Sequence, residues 1–157
     1  MSLGSPSLPT SDAVVRTLRD LFGKGIQAKK GAAPPAAAKV FIGLYADNEG
    51  EIAVACICDV PLAATFGAAL AMIPAPVAAE AVRLGKLSAD MTDNLREVLN
   101  IMASQFGAIH VRMTSLVAPG EKLAPQVSAL IAKPATRLDL EIAVAGYVGG
   151  RLALLGR

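Results

Sequence analysis

The chain has 157 residues, enough for one domain with a sizeable core, and 54% of them are apolar. Charged residues make up only 18%, and 15 basic against 13 acidic side chains leave a net charge of +2. This excludes a disordered chain, which needs low hydrophobicity and high net charge, and gives no support to nucleic-acid binding, which needs clustered Lys and Arg. With no Trp and one histidine, His110, aromatic stacking platforms and multi-histidine metal sites are also excluded.

Residues 1–10 are rich in Ser, Pro and Gly and read as a loose segment, followed by a single domain over 11–157. No signal peptide is legible at the N-terminus, so the expected location is cytoplasmic. Ser11 and Asp12 are candidate caps for a helix to about Phe22, with Val14, Val15, Leu18, Leu21 and Phe22 at helical spacing and Gly23 and Gly25 ending it. Gln27 to Ala38, basic and then Ala/Pro-rich, reads as a loop. The Gly23-Lys24-Gly25 stretch with Lys29, Lys30 and Gly31 lacks phosphate-loop spacing and reads as solvated.

Two apolar runs, Lys39–Ala46 and Glu51–Val60, flank the turn Asp47-Asn48-Glu49-Gly50 and predict a β-hairpin. Cys56 and Cys58 lie in the second run. Two residues apart on a strand, they share a face, and they read as reduced core side chains. Val60 to Ala79 has no charge over twenty residues, about the length of a membrane span. Pro61, Pro74 and Pro76 interrupt it, so the expectation is a short helix over Leu62–Ile73, another over Val77–Leu84, and no membrane insertion. A long helix is predicted from Ser88 or Asp90 to Phe106, ended by Gly107.

Ala108 to Val117 alternates, with Ile109, Val111, Met113, Ser115 and Val117 on one face. His110 falls on the other and reads as exposed. Val127–Ala132, a turn over Lys133–Thr136 and Leu138–Val148 suggest a second hairpin, with Arg151–Leu155 as a last strand. The run Glu51–Ala55 recurs as Glu141–Ala145, which would give two similar hairpins in one sheet. The fold class is α+β, an antiparallel sheet with helices packed on one face.

The long helix carries the chemistry. At about 100° per residue, Met91, Leu95, Val98, Leu99, Met102 and Phe106 form a core-facing stripe. Opposite them Asp93, Glu97, Asn100 and Ser104 fall within about 60° of arc as one polar ridge. The ridge has no lysine, and a mid-helix asparagine costs roughly 0.5 kcal/mol relative to alanine.

Asp93-x-x-x-Glu97-x-x-Asn100 resembles the signature of the CheC/CheX/FliY phosphatases, which dephosphorylate the chemotaxis response regulator CheY. The order of elements from Ser11 to Val148, with one copy of the motif, is similar to CheX. The resemblance implies that Asn100 orients a water, that Glu97 pairs with the receiver's lysine, and that Asp93 and Ser104 assist docking. It also implies a phosphorylated receiver domain as partner, homodimerisation, and no cofactor of the chain's own, Mg²⁺ belonging to the receiver. The chain departs from the pattern in two places. Leu123 stands where the family has a proline, between Pro119 and Pro125, and Arg96 replaces the small residue before the glutamate. A second reading from the same residues is a non-catalytic module that binds a receiver or dimerises. A third is a small-ligand domain using the open face of the sheet.

Overall fold

A computed structural model describes residues 4–23, 25–35 and 38–157. Lys24 of the basic loop, Ala36 and Ala37 of the following stretch, and residues 1–3 lie outside the described residues. Six strands, β1 (Ile26–Lys30), β2 (Val40–Ala46), β3 (Ile52–Asp59), β4 (Arg112–Val117), β5 (Thr136–Val144) and β6 (Gly150–Gly156), form one sheet in the order β1-β5-β6-β3-β2-β4. Every neighbouring pair is antiparallel. The helices are α1 (Ser11–Phe22), α2 (Val60–Ala69), α3 (Ala75–Leu84), α4 (Ala89–Met102) and α5 (Pro125–Ala132). The α+β class expected from the sequence is the one observed.

The central strands β2, β3 and β6 are buried on both faces, as their near-continuous apolar runs require. One face carries the main core, where Phe41, Tyr45, Val54, Cys56, Cys58, Leu152 and Leu154 meet α1, α2 and α4. The opposite face is not bare. Ile42, Leu44, Ala55, Ile57, Ala153 and Leu155 pack there against Val127 and Leu130 of α5. The expected one-faced helical layer therefore needs a correction: α5 covers part of the second face.

Four local readings also change. Thr10, not Ser11 or Asp12, caps α1, its Oγ1 accepting from the Ala13 amide at 3.1 Å. The stretch expected to be a loop from Gln27 holds β1, an edge strand pairing Ile26 with Val144 and Lys30 with Leu140. Only Ile26 is buried in it, and the lysines that suggested a loop face solvent along the sheet edge, where charge blunts further pairing. Pro125 at the first helical turn starts α5 where a strand was expected, so the terminal hairpin is β5–β6. The repeated Glu-Ile-Ala-Val-Ala thus opens no second copy of one hairpin: Ala53 is fully buried in the sheet centre, whereas Ala143 is exposed.

The segment expected to be loose is held from Gly4 onward. Ser7 and Gly107 exchange backbone hydrogen bonds of 2.9 and 3.0 Å, Leu8 packs on the core, and Arg157 Nη2 donates to the Gly4 carbonyl at 3.0 Å. The same guanidinium pairs with Asp47 at 2.7 Å and ties the β2–β3 turn to β6. Burial raises the Asp47 carboxyl, but the hydrogen bond from Arg157, the Glu51 and Glu49 amides and the Arg157 charge outweigh it, so its pKa is lowered from 3.8. A depressed native pKa stabilises the fold above the unfolded value and is lost as pH falls through the native one. In urea titrations the wild-type midpoint is therefore expected to fall below about pH 4, and Asp47→Asn to flatten that dependence while lowering stability at neutral pH. Identical pH profiles for the two proteins would refute this.

The cysteines are free, buried and on the main-core face of β3, in the state the sequence suggested. The neighbouring Cys56 thiol and burial both push the Cys58 thiol up, which keeps it protonated and unreactive. Among the described residues no helix is long and apolar enough to cross a membrane; the uncharged run is divided between α2 and α3.

Candidate functional site

Helix α4 is fixed from two directions before it presents anything to solvent. Ser88 caps it, Oγ accepting from the Met91 amide at 3.2 Å. Against α2 it rests on Gly67, where an added Cβ would lie 2.6 Å from the Met91 carbonyl oxygen, and Asn94 Nδ2 donates to the Gly67 carbonyl at 2.8 Å. Against the sheet, Leu99 packs over Gly43 of β2, and the buried Tyr45 hydroxyl donates to the Leu99 carbonyl at 2.5 Å. Burial raises the Tyr45 phenol further, so it remains a donor. Met91, Leu95, Val98, Leu99 and Met102 are buried as the helical spacing requires.

This leaves Asp93, Glu97, Asn100 and Ser104 all exposed. The structure brings three of the four together. Asp93, Arg96, Glu97 and Asn100 form one wall of an open groove of about 410 Å³ whose other wall is Met113, Thr114 and Ser115 of β4. Ser104 lies outside it, because α4 ends at Met102 and tightens into a 3₁₀ turn over Ala103–Gln105, where the Ser104 hydroxyl donates to the Ile101 carbonyl at 3.0 Å.

The β4 wall is the part that sequence reasoning missed. Strict alternation puts Met113 and Ser115 on the apolar face, but β4 has a bulge: Tyr45 opposes Met113 and Leu44 opposes Ser115. Thr114 is the extra residue, its Oγ1 donating to the Leu44 carbonyl at 3.3 Å. The bulge re-aims the strand beside α4. It also breaks the one-face reading, since Met113 and Leu116 pack on the main core while Val117 packs with α5. Nothing in the residue types of Met-Thr-Ser announces it.

Among the described residues, no ion pair or side-chain hydrogen bond within the chain engages Asp93, Arg96, Glu97 or Asn100. Two carboxylates, one guanidinium and one amide thus face the same groove with their bonding capacity unspent. No group of three or more potential metal ligands occurs among the described residues. His110 is exposed just before β4.

A larger hollow, about 590 Å³, lies on the sheet's second face beside Lys29, Asp59, Glu141 and Arg151. Its charges are already matched: Glu141 pairs with Lys29 at 3.3 Å and with Arg151 at 3.9 Å. Asp59 Oδ1 accepts from the Leu62 and Arg151 amides. It offers a ligand less than the α4 groove does.

No family profile matches the chain, and no curated protein matches it in sequence. Similarity appears in solved structures. FliM from Helicobacter pylori, in its complex with SpeE, matches with a TM-score of 0.63 at 6% identity, over 93% of this chain and 80% of FliM. The isolated FliM middle domain of H. pylori matches with a TM-score of 0.57 at 6% identity, over 93% and 84%. CheX of Borrelia burgdorferi, in its complex with CheY, BeF₃ and Mg²⁺, is 14% identical over 91% and 90%, with a TM-score of 0.47. The likeness is one of fold: this chain shares the α+β architecture of the FliM middle domains.

Proposed function

We propose that this chain is a phosphatase acting on the aspartyl phosphate of a cytoplasmic receiver domain in chemotaxis or related two-component signalling. The observation that carries the reading is the pair Glu97 and Asn100, exposed one turn apart on α4, without a side-chain partner among the described residues, beside an open groove. In the hydrolysis, a water oxygen bonds to phosphorus while the bond from phosphorus to the receiver's carboxylate oxygen breaks. Its electron pair stays with the carboxylate, and the water protons leave on inorganic phosphate or pass to solvent. Such a reaction asks mainly for positioning. The Asn100 amide oxygen accepts one water proton as a hydrogen bond and points the lone pair at phosphorus. Glu97 pairs with the receiver's lysine, and Asp93 supports docking from the preceding turn. Ser104, beyond the groove, is a peripheral docking contact. The chain supplies no cofactor; Mg²⁺ belongs to the receiver.

The deciding experiment follows the decay of a panel of phosphorylated receivers with and without the protein. Acceleration of at least one supports the reading, and spontaneous decay of all of them overturns it. A second reading, a non-catalytic module that docks a protein, is favoured by the FliM similarity, since FliM was solved in complexes with SpeE and with FliG. Binding of a receiver without faster decay selects it.

Homodimerisation is part of the proposal. The apolar fraction is high, and Met72, Val77 and Leu84 are exposed around α3. Light scattering at tens of micromolar is expected to give twice the 16.0 kDa chain mass; the monomer mass would remove the claim.

A further inference from the structure

Resting on that reading, we infer that Arg96 is the phosphoryl-binding residue of the groove. The phosphoryl group of an aspartyl phosphate carries about two negative charges, and the groove that would receive it presents the carboxylates of Asp93 and Glu97. Those two charges alone would repel it. Among the described residues, Arg96 is the one cationic side chain lining that groove, and it stands one helical turn before Asn100, on the side facing β4. Among the described residues its guanidinium has no ion-pair or hydrogen-bond partner, in contrast to Arg83, Arg137, Arg151 and Arg157, each of which has a carboxylate partner.

Arg96 also borders a second hollow with Phe41, Lys86, Leu116 and Glu121, so its side chain has room to swing between the two. A planar guanidinium holds two phosphoryl oxygens at once and keeps its charge at any working pH. From this position it neutralises the oxygens while Asn100, on the same face, holds the water. It also offsets the repulsion that Glu97 would otherwise exert on the group being cleaved. The motif and its added cation thus divide the work: Glu97 holds the receiver, Arg96 the phosphoryl oxygens, Asn100 the water.

The test uses the full chain and the receiver whose decay it accelerates most, in two forms: unmodified with Mg²⁺, and loaded with Mg²⁺ and beryllofluoride as the phosphoryl mimic. The wild type is expected to bind the loaded form at least about tenfold more tightly, as charge-assisted pairs of this kind allow. Arg96→Ala should lose that preference and most of the turnover while binding the unmodified receiver as before, and Arg96→Lys should recover part of both. Asn100→Ala should keep the preference and lose only turnover. If Arg96→Ala retains the preference, or dephosphorylates as fast as or faster than wild type, Arg96 is not the phosphoryl-binding residue, although the phosphatase reading survives. If the wild type accelerates no receiver, both fall together.

Discussion

Asn100→Ala is expected to return the decay of a phosphorylated receiver to near its spontaneous rate, a loss of about 100-fold or more, with the complex nearly as tight as before. The amide is exposed and has no partner among the described residues, so its removal breaks no bond seen in the fold. Exposed helix substitutions usually change stability by less than about 0.5 kcal/mol, and a mid-helix asparagine replaced by alanine gains helix propensity. A loss of turnover therefore cannot be traced to unfolding. Glu97→Ala makes the contrast: its carboxylate would engage the receiver itself, so affinity and turnover should both decline. Stopped-flow decay and a binding titration on the same preparations separate the two effects. Full turnover by the Asn100→Ala protein would move the chemistry to another site.

The largest effect on stability is expected one residue earlier. Leu99 is fully buried between α4 and the sheet, with Gly43 below it and Met113 to one side. Leu99→Ala should cost roughly 3 kcal/mol, because the lost burial is compounded by a cavity that the β2 backbone cannot move to fill. For a chain of this size that lowers Tm by about 6–12 °C. The Leu99 carbonyl, which Tyr45 holds at 2.5 Å, remains, so α4 should keep its seat and the folded protein its site. Calorimetry at two concentrations measures the loss, and a change under about 1 kcal/mol would show that Met113 swings in to close the space.

Much of this arrangement is legible in the sequence alone. The period of α4 separated Leu95, Val98, Leu99 and Met102 from Asp93, Glu97 and Asn100, because a helix assigns sides by angle alone. The hairpin of β2 and β3 was legible because two apolar runs flank a turn-forming tetrad. What could not be read depended on partners distant in the chain. Ile26 to Lys30 resembles a loop until β5 is beside it. The register shift at Thr114 comes from the fit of β4 to β2, and residue types do not encode it. Thus one wall of the groove followed from local periodicity, and the other needed the assembled sheet.

The strand order also imposes a timetable on folding. Helix α4 and strand β4, which make the groove, are neighbours in sequence, and β2 and β3, against which they settle, precede them. Strand β1 is made before every other strand of the sheet, yet its partner residues end at Val144, and β5 is itself joined to the central strands only through β6. The β1 edge must therefore wait, unpaired, until β5 and β6 have been made, and closing so long a loop is the slow kind of step. The groove side can take shape first and the far margin last. The lysines along β1 then have a use before the protein is finished, keeping an idle strand from pairing with another unfinished chain.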